Sequence, residues 1–404
     1  MLSQIFLSKL KEIDYSIDPK IVSSLSRDFS HTSPIISPLL SKSANAVVFP
    51  KNEDEVKTIV EACIEEHVPI VPRGGGVNNV GGVIPMKGGI IMDLSRMKTF
   101  KEYEDEIEVG PGVSFCDNGR LRFNVRVYPS TYCEGATVAG FFSGGSGGIG
   151  EFRYGRNWDY ATEVTMVNPV GKTVKLRGGD VKIAAHAEGT TGIITKLKVQ
   201  KREKTKDIPI VVEFDNLHNA MNFIQSLYDN YSHTVYHVTL RSPEMSRLTS
   251  NITGYYTSKW NVLVVCEEEC PFKGKRGDGV WEKRFLFFGG TITTAMGIMK
   301  KRYYYVVKDI PLEETEEKLT KVIESRKGFV TDVEFDIGRK SHPFILTDEE
   351  KEYYEILKIL GGTNFDLNSI YINSRLPRDH LHKILVYKKM YDKEDLFNPD
   401  KVKF

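Results

Sequence analysis

The segment at residues 72–82, called the glycine loop below, carries the clearest chemical signal in the sequence. Five of its eleven residues are glycine, and glycine reaches positive φ freely and leaves main-chain N–H groups uncovered. Successive exposed amides form a concave site that binds anions, phosphate in particular. The segment lacks the Gly-Lys-Ser/Thr ending of a Walker sequence, so no lysine or hydroxyl is placed for a nucleoside triphosphate and its magnesium ion. The glycine loop therefore predicts phosphate binding outside the NTPases.

The elements around the glycine loop follow from the hydrophobic pattern. Strands are predicted at 47–49 and 69–71, and a third within the segment GGIIMDLSRM after the loop. A strand–helix–strand unit of this kind presents the loop at a strand end, where open α/β sheets bind their ligands. The helix between the first two strands is predicted from apolar residues at helical spacing, Val56, Ile59, Val60, Cys63 and Ile64.

Three further motifs follow the glycine loop in the chain. They are ATVAG at 136–140 with a glycine-rich run behind it, AEGTTGIIT at 187–195, and DLFNPDKV at 395–402. The four motifs, in this order, resemble the FAD-binding domain of the vanillyl-alcohol oxidase superfamily, also called the p-cresol methylhydroxylase (PCMH) type. Within that superfamily, WEKR at 281–284 and YYVVKDIPL at 304–312 resemble the glycolate oxidase and D-lactate dehydrogenase group.

The resemblance implies that FAD lies along these motifs. The amides of the glycine loop would hold the pyrophosphate, residues 137–142 and 144 the flavin and ribityl chain, residues 188–194 the adenine side, and Asn398 the ring edge. Ordinary packing is the alternative for Thr137 and Ile194. The residues expected to bind FAD are Pro72, Arg73, Gly74, Gly75, Gly76, Val77, Asn78, Thr137, Gly140, Phe141, Phe142, Gly144, Glu188, Gly189, Gly192, Ile194 and Asn398.

Covalent attachment of the flavin is a separate question. Many proteins of the family tether FAD through a histidine directly after the arginine–glycine run, and this chain has Val77 there, which excludes that link. Cys133 lies nine residues before Phe142, the spacing at which some family members carry a cysteinyl link. The alternative is a small apolar residue packed near the flavin, and we expect FAD to be bound without a covalent bond.

The resemblance also implies a reaction, hydride transfer from a carbon that bears a hydroxyl group to flavin N5. Arg284 stands where the group holds the substrate carboxylate, which a guanidinium can bind through two hydrogen bonds. A surface arginine is the alternative. If Arg284 binds the substrate carboxylate, Arg284→Lys keeps the positive charge but loses the paired N–H donors of the guanidinium, so KM should rise sharply.

Most of the metal-binding histidines of that group are missing. Where the group carries H-x-G-D-G-N-x-H, this chain has FDIGRKSH at 335–342 and keeps only the last histidine, His342. Its later G-E-H-G motif falls on residues 364–377, which contain no histidine. One histidine cannot form that metal site, so we predict no bound metal.

Candidates for the catalytic base come from alternating polar residues. In SIYINSRL, Tyr371, Asn373 and Arg375 would share one face of a strand. The segment YHVTLR places His237 and Thr239 on one face in the same way, with Arg241. Either face could line a substrate pocket, and a solvated sheet face is the alternative. We rank His342 first as base, then Tyr371 and His237, and we list Arg284, His342, Tyr371 and Arg375 as catalytic candidates.

Composition sets the wider limits. The chain has 404 residues and a net charge of +1, from 55 basic and 54 acidic residues, so it has no bulk positive field for nucleic acid. Five scattered cysteines are expected to be thiols, with a metal pair at Cys266 and Cys270 as the weaker alternative. Lysines interrupt the N-terminal segment and no apolar run reaches the length of a membrane span. These features predict a cytoplasmic protein without a membrane span.

The predicted fold is α+β, with a PCMH-type FAD-binding domain made of two α/β subdomains and a second α+β domain whose antiparallel sheet covers the flavin. The predicted boundaries are 1–203 for the FAD domain, 204–380 for the substrate domain, and 381–404 for a segment that returns to the FAD domain. We expect an FAD-dependent oxidase or dehydrogenase acting on a small hydroxylated substrate, with a 2-hydroxy acid as the first candidate. The electron acceptor is unassigned, and a homo-oligomer and a partner redox subunit are both left open.

Two other functions stay open. The first is a non-catalytic or electron-relay FAD subunit of a larger oxidase complex, which the missing histidines would suit. The second, ranked last, is a nicotinamide-dependent reductase that resembles the enolpyruvyl-sugar reductase of cell-wall synthesis. A Rossmann site at 145–150, which matches G-x-G-x-x-G, is disfavoured because the turn-rich segment EFRYGRNWDY follows it where a helix should begin.

Overall fold

The first layer of the fold is a small sheet that carries the glycine loop. A computed structural model describes every residue except 1, 11, 146, 204, 287–289 and 362–368. Three strands of the sheet run parallel in the order β2-β4-β3, and β1 is antiparallel to β2. The strands are β1 (Tyr15–Ser16), β2 (Ala46–Val48), β3 (Ile70–Arg73) and β4 (Ile90–Asp93), and the helices beside them are α1 (Gln4–Lys9), α2 (Pro19–Leu25) and α3 (Glu53–Glu65).

Helix α3 forms where the hydrophobic period predicts it. The Asn52 side chain accepts a hydrogen bond from the N–H of Glu55, which caps the helix at its N terminus. Val56, Ile59 and Val60 are fully buried against the sheet. The predicted strand–helix–strand unit is present, and β3 leads directly into the glycine loop.

A second sheet, with five antiparallel strands, follows in the chain. Its strand order is β12-β11-β13-β6-β5. Its strands are β5 (Phe100–Glu102), β6 (Glu106–Val109), β11 (Ala161–Val167), β12 (Thr173–Arg177) and β13 (Ile193–Gln200). Between β6 and β11 lie the short elements β7 (Cys116–Asp117), β8 (Arg120–Leu121), β9 (Tyr128–Pro129), α4 (Val138–Gly144), β10 (Gly148–Ile149) and α5 (Glu151–Tyr154).

The third and largest sheet is antiparallel and has two different faces. Its order is β17-β14-β16-β15-β20-β21-β18, with β19 paired to β21. Its strands are β14 (Asp207–Phe214), β15 (Val235–Arg241), β16 (Trp260–Glu267), β17 (Lys275–Arg276), β18 (Tyr304–Val307), β19 (Ile310–Pro311), β20 (Phe329–Phe335) and β21 (Lys340–Thr347). The helices of this part of the chain are α6 (Leu217–Asn230), α7 (Pro243–Thr253), α8 (Asp278–Glu282), α9 (Thr291–Met299), α10 (Leu312–Ser325) and α11 (Glu350–Leu360).

Alternation along these strands assigns the two faces. Leu240, Val264 and Ile345 pack under residues of α6, α10 and α11, whereas Tyr305 and Phe344 join the cluster that includes Phe141 of α4. One face is thus covered by helices and the other faces the segments that are predicted to bind the cofactor. The predicted fold class, with an antiparallel sheet in the second half of the chain, is confirmed.

The chain end returns to the glycine-loop sheet. After α12 (Arg378–Tyr391), Phe397 forms a parallel bridge with Ile70 of β3. The Ile70 N–H donates to the Leu396 carbonyl and the Asn398 N–H donates to the Ile70 carbonyl, both at 2.8 Å. The proposed boundaries stay predictions: 203/204 falls between β13 and β14, and 380/381 falls in the first turns of α12.

One predicted strand is wrong. Residues 369–376 contain a 3₁₀ turn, Ile372–Ser374, in place of a strand. The Ser374 hydroxyl donates to the Tyr371 carbonyl at 3.0 Å, and Pro377 follows three residues later. Local side-chain bonds of this kind compete with a strand ladder, so the predicted polar face of Tyr371, Asn373 and Arg375 does not form.

The cysteines also differ from expectation. Disulfides join Cys116 to Cys133 and Cys266 to Cys270, with Cα–Cα separations of 5.3 Å in both pairs, a spacing that a disulfide accepts. Cys63 is a free, buried thiol, and burial raises its pKa. Among the described residues, no helix has both the length and the apolar content needed to cross a bilayer.

Candidate cofactor and substrate site

A cavity of about 500 Å³ lies between the glycine loop and the large antiparallel sheet. Its cofactor side is formed by the glycine loop, the start of α4 and the 188–194 segment. Its opposite side is formed by α9 and by side chains of β18, β20 and β21, including Tyr305, Glu334 and Phe344. Loops after β9 close it laterally, and Ser130 and Tyr132 contribute there.

The structure brings together most of the residues predicted to bind FAD. Phe142 and Asn398 are the exceptions, because both are buried outside the cavity wall. The predicted residues that do line it are Pro72, Arg73, Gly74, Gly75, Gly76, Val77, Asn78, Thr137, Gly140, Phe141, Gly144, Glu188, Gly189, Gly192 and Ile194.

The three consecutive glycines of the glycine loop, residues 74–76, have no room for side chains, which fits a main-chain cofactor site. A Cβ on Gly75 would lie 1.5 Å from the carbonyl oxygen of Gly135, and one on Gly74 would lie 2.5 Å from the hydroxyl oxygen of Thr137. Gly76 has φ of 67°, a conformation that side chains disfavour. The loop therefore presents bare backbone to the cavity, as close approach to a pyrophosphate requires.

The chain end holds two cavity segments together. The Asn398 side-chain amide donates to the carbonyls of Gly82 at 2.8 Å and Glu188 at 2.6 Å. Lys401 donates to the Gly81 carbonyl. Arg375 forms an ion pair with Glu188 at 2.5 Å. Asn398 thus ties the glycine loop to the 188–194 segment from behind the wall, and we keep a direct contact with the flavin ring only as a prediction.

We expect Asn398→Ala to weaken FAD binding by roughly tenfold or more, because two buried carbonyls lose their donor. Titration of the apoprotein with FAD, followed by calorimetry, measures the change. Asn373→Ala is the matched control, since Asn373 also bonds the C-terminal segment, donating to Lys403 O at 2.7 Å, but has no side-chain hydrogen bond to a cavity segment among the described residues. Equal FAD affinity in the two variants would contradict the role given to Asn398.

Two predicted catalytic residues lie outside the cavity. Tyr371 stacks under the Lys403 ammonium, 3.8 Å from the ring centre, and Arg375 is buried against Glu188. Neither is part of the cavity wall. The strand that was expected to present them is replaced by a 3₁₀ turn at Ile372–Ser374, so the structure does not bring these two residues to the cavity, and their catalytic role stays a prediction.

Arg284 and His237 lie beside the cavity rather than in its wall. The Arg284 guanidinium donates to the Tyr128 hydroxyl at 3.0 Å and stacks on Trp281 and Phe285. Strand β15 carries His237 as predicted, but His237 is buried and burial lowers its pKa to about 3. Carboxylate binding by Arg284 therefore stays a prediction that would require the arginine to turn inward.

His342 does line the cavity, on β21, and it is paired with acids. Its Nδ1 lies 2.6 Å from Asp309 and its Nε2 lies 3.6 Å from Asp336. Although burial opposes the charged form, these two carboxylates raise the pKa of His342 to about 10. The ring is then an imidazolium at neutral pH, so the structure favours an electrostatic anchor and disfavours the base role ranked first from the sequence.

Arg156 joins this acid cluster. Its guanidinium lies 3.0 Å from Asp336, 3.4 Å from Asp309 and 3.4 Å from Glu151. Glu151, Asp336 and His342 bring one oxygen or nitrogen atom each to within 4.8 Å of one another, a spacing that could suit a metal ion. The positive charge of Arg156 already balances part of the negative charge of these carboxylates. The absence of a bound metal therefore stays a prediction.

Replacing His342 should change how stability depends on pH. Its folded pKa of about 10 exceeds the usual value near 6.5, so its stabilising effect is full below pH 6.5 and is lost as pH rises through 10. We expect wild-type stability to fall by about 1.4 kcal/mol per pH unit in that window from this group, and His342→Gln to lack that slope. Urea unfolding at several pH values checks it; parallel curves for the two proteins would contradict the assignment.

Sequence reasoning missed two groups of this wall, Arg156 and Glu334, and two acids that pair with it, Glu151 and Asp309. Arg156, Glu151, Asp309 and Glu334 were not among the candidates. One signal was available: in VTDVEFD, the acids at 332, 334 and 336 alternate with Val333 and Phe335, which places them on one face of a strand. The position of Arg156, far away in the chain, had no comparable signal.

The arrangement defines a class of protein. Bare-backbone loops on one side and an antiparallel sheet on the other enclose a site for a phosphate-bearing cofactor, as in flavoproteins of the PCMH type. Residues 44–177 match the family of FAD binding domains. This part of the chain is an FAD binding domain, and the cofactor of the protein is FAD.

The chain is also similar to proteins of known sequence. The chain is 28% identical over 210 residues to a D-lactate dehydrogenase of Archaeoglobus fulgidus, covering 48% of this chain and 47% of that protein. It is 29% identical over 208 residues to the glycolate oxidase subunit GlcD of Bacillus subtilis, covering 47% and 44%. The matches therefore span less than half of either relative.

Solved structures share the fold. An alkyldihydroxyacetonephosphate synthase superposes with a TM-score of 0.77 at 16% identity, covering 99% of this chain and 85% of that one. A substrate-bound p-cresol methylhydroxylase gives a TM-score of 0.74 at 14% identity, covering 99% and 96%. At these identities the likeness concerns the fold alone.

Proposed function

We propose that this protein is an FAD-dependent oxidoreductase that oxidises a small 2-hydroxy acid. The observation that carries the proposal is the charged wall of Arg156, Glu334 and His342 in a cavity that is otherwise mainly apolar. It faces the FAD loops, where a small polar substrate would have to lie. The names of two relatives, a D-lactate dehydrogenase and a glycolate oxidase subunit, point to the same substrate class.

Each part of the wall has a task in this reaction. When bound, FAD supplies a two-electron acceptor for hydride. The His342 imidazolium and the Arg156 guanidinium donate hydrogen bonds to substrate oxygens, and charge-assisted bonds of this kind orient a carboxylate or hydroxyl well. Tyr305, Phe344 and Ile292 exclude water from the reacting carbon. Hydride transfer requires that orientation to be held within a few tenths of an ångström.

Anaerobic flavin reduction tests the proposal. Purified holoprotein is mixed with glycolate, both enantiomers of lactate and D-2-hydroxyglutarate, and the visible flavin absorbance is followed. We expect at least one of them to bleach the flavin. Acetate and propionate, which lack the hydroxyl group, are the controls and should leave it oxidised. No bleaching by any 2-hydroxy acid would overturn the proposed activity.

The second candidate is a non-catalytic or electron-relay subunit. The relative from Bacillus subtilis is named as a subunit, and this chain lacks most histidines of the group's metal motif. Such a subunit would keep FAD but would not be bleached by hydroxy acids. A cytoplasmic location and a partner redox subunit belong to this proposal and are checked by fractionation and co-purification from the native host.

A further inference from the structure

Glu334 places a buried carboxylate in the wall of the cavity, and packing alone does not explain an acidic side chain there. It lies on β20, only 4% exposed, and it lines the cavity. Its carboxylate shares a hydrogen bond with Ser130 from the loop opposite. In the described part of the chain its Oε1 atom has no hydrogen-bond partner. A buried carboxylate oxygen without a partner is costly, and a ligand hydroxyl in the cavity would satisfy it.

We infer that Glu334 accepts the hydroxyl proton of the substrate while the carbon beside that hydroxyl loses hydride. The inference rests on the proposed function. In this step the O–H bond breaks and its proton moves to a Glu334 oxygen, the C–H bond breaks and its electron pair leaves as hydride to FAD, and the C–O bond becomes a carbonyl. The substrate loses two electrons and FAD gains them, so the step is balanced.

The neighbours of Glu334 exclude the other candidates for this proton. His342, its cross-strand partner on β21, is held as an imidazolium by Asp309 and Asp336 and offers no lone pair. Burial raises the pKa of Tyr305 on β18 well above its usual range, so its phenol stays protonated. Among the described residues that β18, β20 and β21 present to the cavity, Glu334 is the titratable group that can both lose and regain a proton near neutral pH.

The charges around Glu334 set the pH at which it can act. Burial raises its pKa, with Glu151 on α5 and Asp332 on its own strand adding to the rise, while the His342 cation and the Ser130 hydroxyl lower it, for a value of about 8. Tyr305 is neutral and adds no charge. Below pH 8 the carboxyl is protonated and cannot take a proton; above it the carboxylate forms. Substrate oxidation should therefore speed up as pH rises through about 8.

A pair of unreactive analogues tests the contact without turnover. 2-Hydroxyisobutyrate carries the hydroxyl and carboxylate but no hydrogen on the carbinol carbon, and isobutyrate lacks the hydroxyl. Their affinities for oxidised holoprotein are measured from flavin absorbance between pH 6 and pH 9.5, for wild type, Glu334→Gln and the control Glu163→Gln. Glu163 is also buried, but it lies on β11, paired with Arg177.

We expect wild type and Glu163→Gln to prefer the hydroxylated analogue about 10-fold or more above pH 8, and Glu334→Gln to lose that preference. With a reactive hydroxy acid, Glu334→Gln should reduce the flavin at least ~100-fold more slowly and without the rise near pH 8, while retaining FAD. An equal analogue preference in wild type and Glu334→Gln, or none in wild type, would overturn the inference. A preference that depends on Glu334 in a protein that no hydroxy acid bleaches would instead refute only the proposed activity.

Discussion

Replacing Gly75 by alanine is expected to give a protein that folds but is purified without FAD. The added methyl group would lie 1.5 Å from the Gly135 carbonyl oxygen and 2.7 Å from its carbon. Both atoms belong to the backbone, so no side-chain rotation relieves the clash. Either the glycine loop or the segment before α4 must move, and both line the cavity. If this clash destabilises the FAD-bound protein relative to the apoprotein by about 3 kcal/mol, the affinity for FAD drops ~100-fold.

The ratio of flavin to protein absorbance after purification, followed by FAD titration, measures this loss. Gly297→Ala is the matched control, because a Cβ there meets no heavy atom within 4 Å. That variant should keep wild-type FAD content. Thermal unfolding of both apoproteins separates a local effect on the loop from a general loss of the fold. A Gly75→Ala protein with wild-type FAD affinity would show that the loop is not the cofactor site.

The sequence predicts the cofactor side of this site well because its constraint is local. Gly75 is needed where backbone packs on backbone, Gly74 where the Thr137 hydroxyl leaves no room, and Gly76 where φ is positive. These three requirements fall on consecutive residues, so the sequence shows them directly. The helical period of α3 and the alternation of β15 are local in the same sense. Each of these elements forms where its pattern indicates.

The opposite side of the cavity could not be predicted because it is assembled from segments that lie far apart in the sequence. Glu334 meets His342 only through the register of β20 with β21, and Arg156 reaches Asp336 from 180 residues away. In the segment 369–376 a local pattern gave a wrong prediction. Its alternation of polar and apolar residues resembles a strand, but local hydrogen bonds favour a 3₁₀ helix at Ile372–Ser374. Pairing of Cys116 with Cys133 also depends on tertiary proximity, which spacing alone does not reveal.

Replacing Arg156 by methionine is expected to destabilise the protein by about 3–5 kcal/mol, the cost of removing one partner of a buried ion pair. Its guanidinium is 15% exposed and lies within 3.4 Å of Glu151, Asp309 and Asp336. Methionine fills a similar volume, so the loss reports the charge rather than a cavity. Arg156→Lys keeps a cation without the planar fork and should recover part of the stability.

The pH dependence of this loss distinguishes charge from packing. In the wild-type protein, Arg156 and His342 hold the pKa of Asp336 well below its usual range, so Asp336 stabilises the fold above pH 4 and less as pH falls further. Without Arg156 the buried carboxylates can take up protons instead, and the difference between wild type and Arg156→Met should shrink as pH falls from 7 towards 4. Denaturant unfolding across that range measures this difference.

Arg153→Met is the control, because Arg153 is more exposed and lies 3.5 Å from Glu267. The loss of stability in this variant should stay below about 1 kcal/mol. A deficit in Arg156→Met that is the same at pH 7 and pH 4 would mean that Arg156 acts through packing, and the acid cluster would then need another source of positive charge.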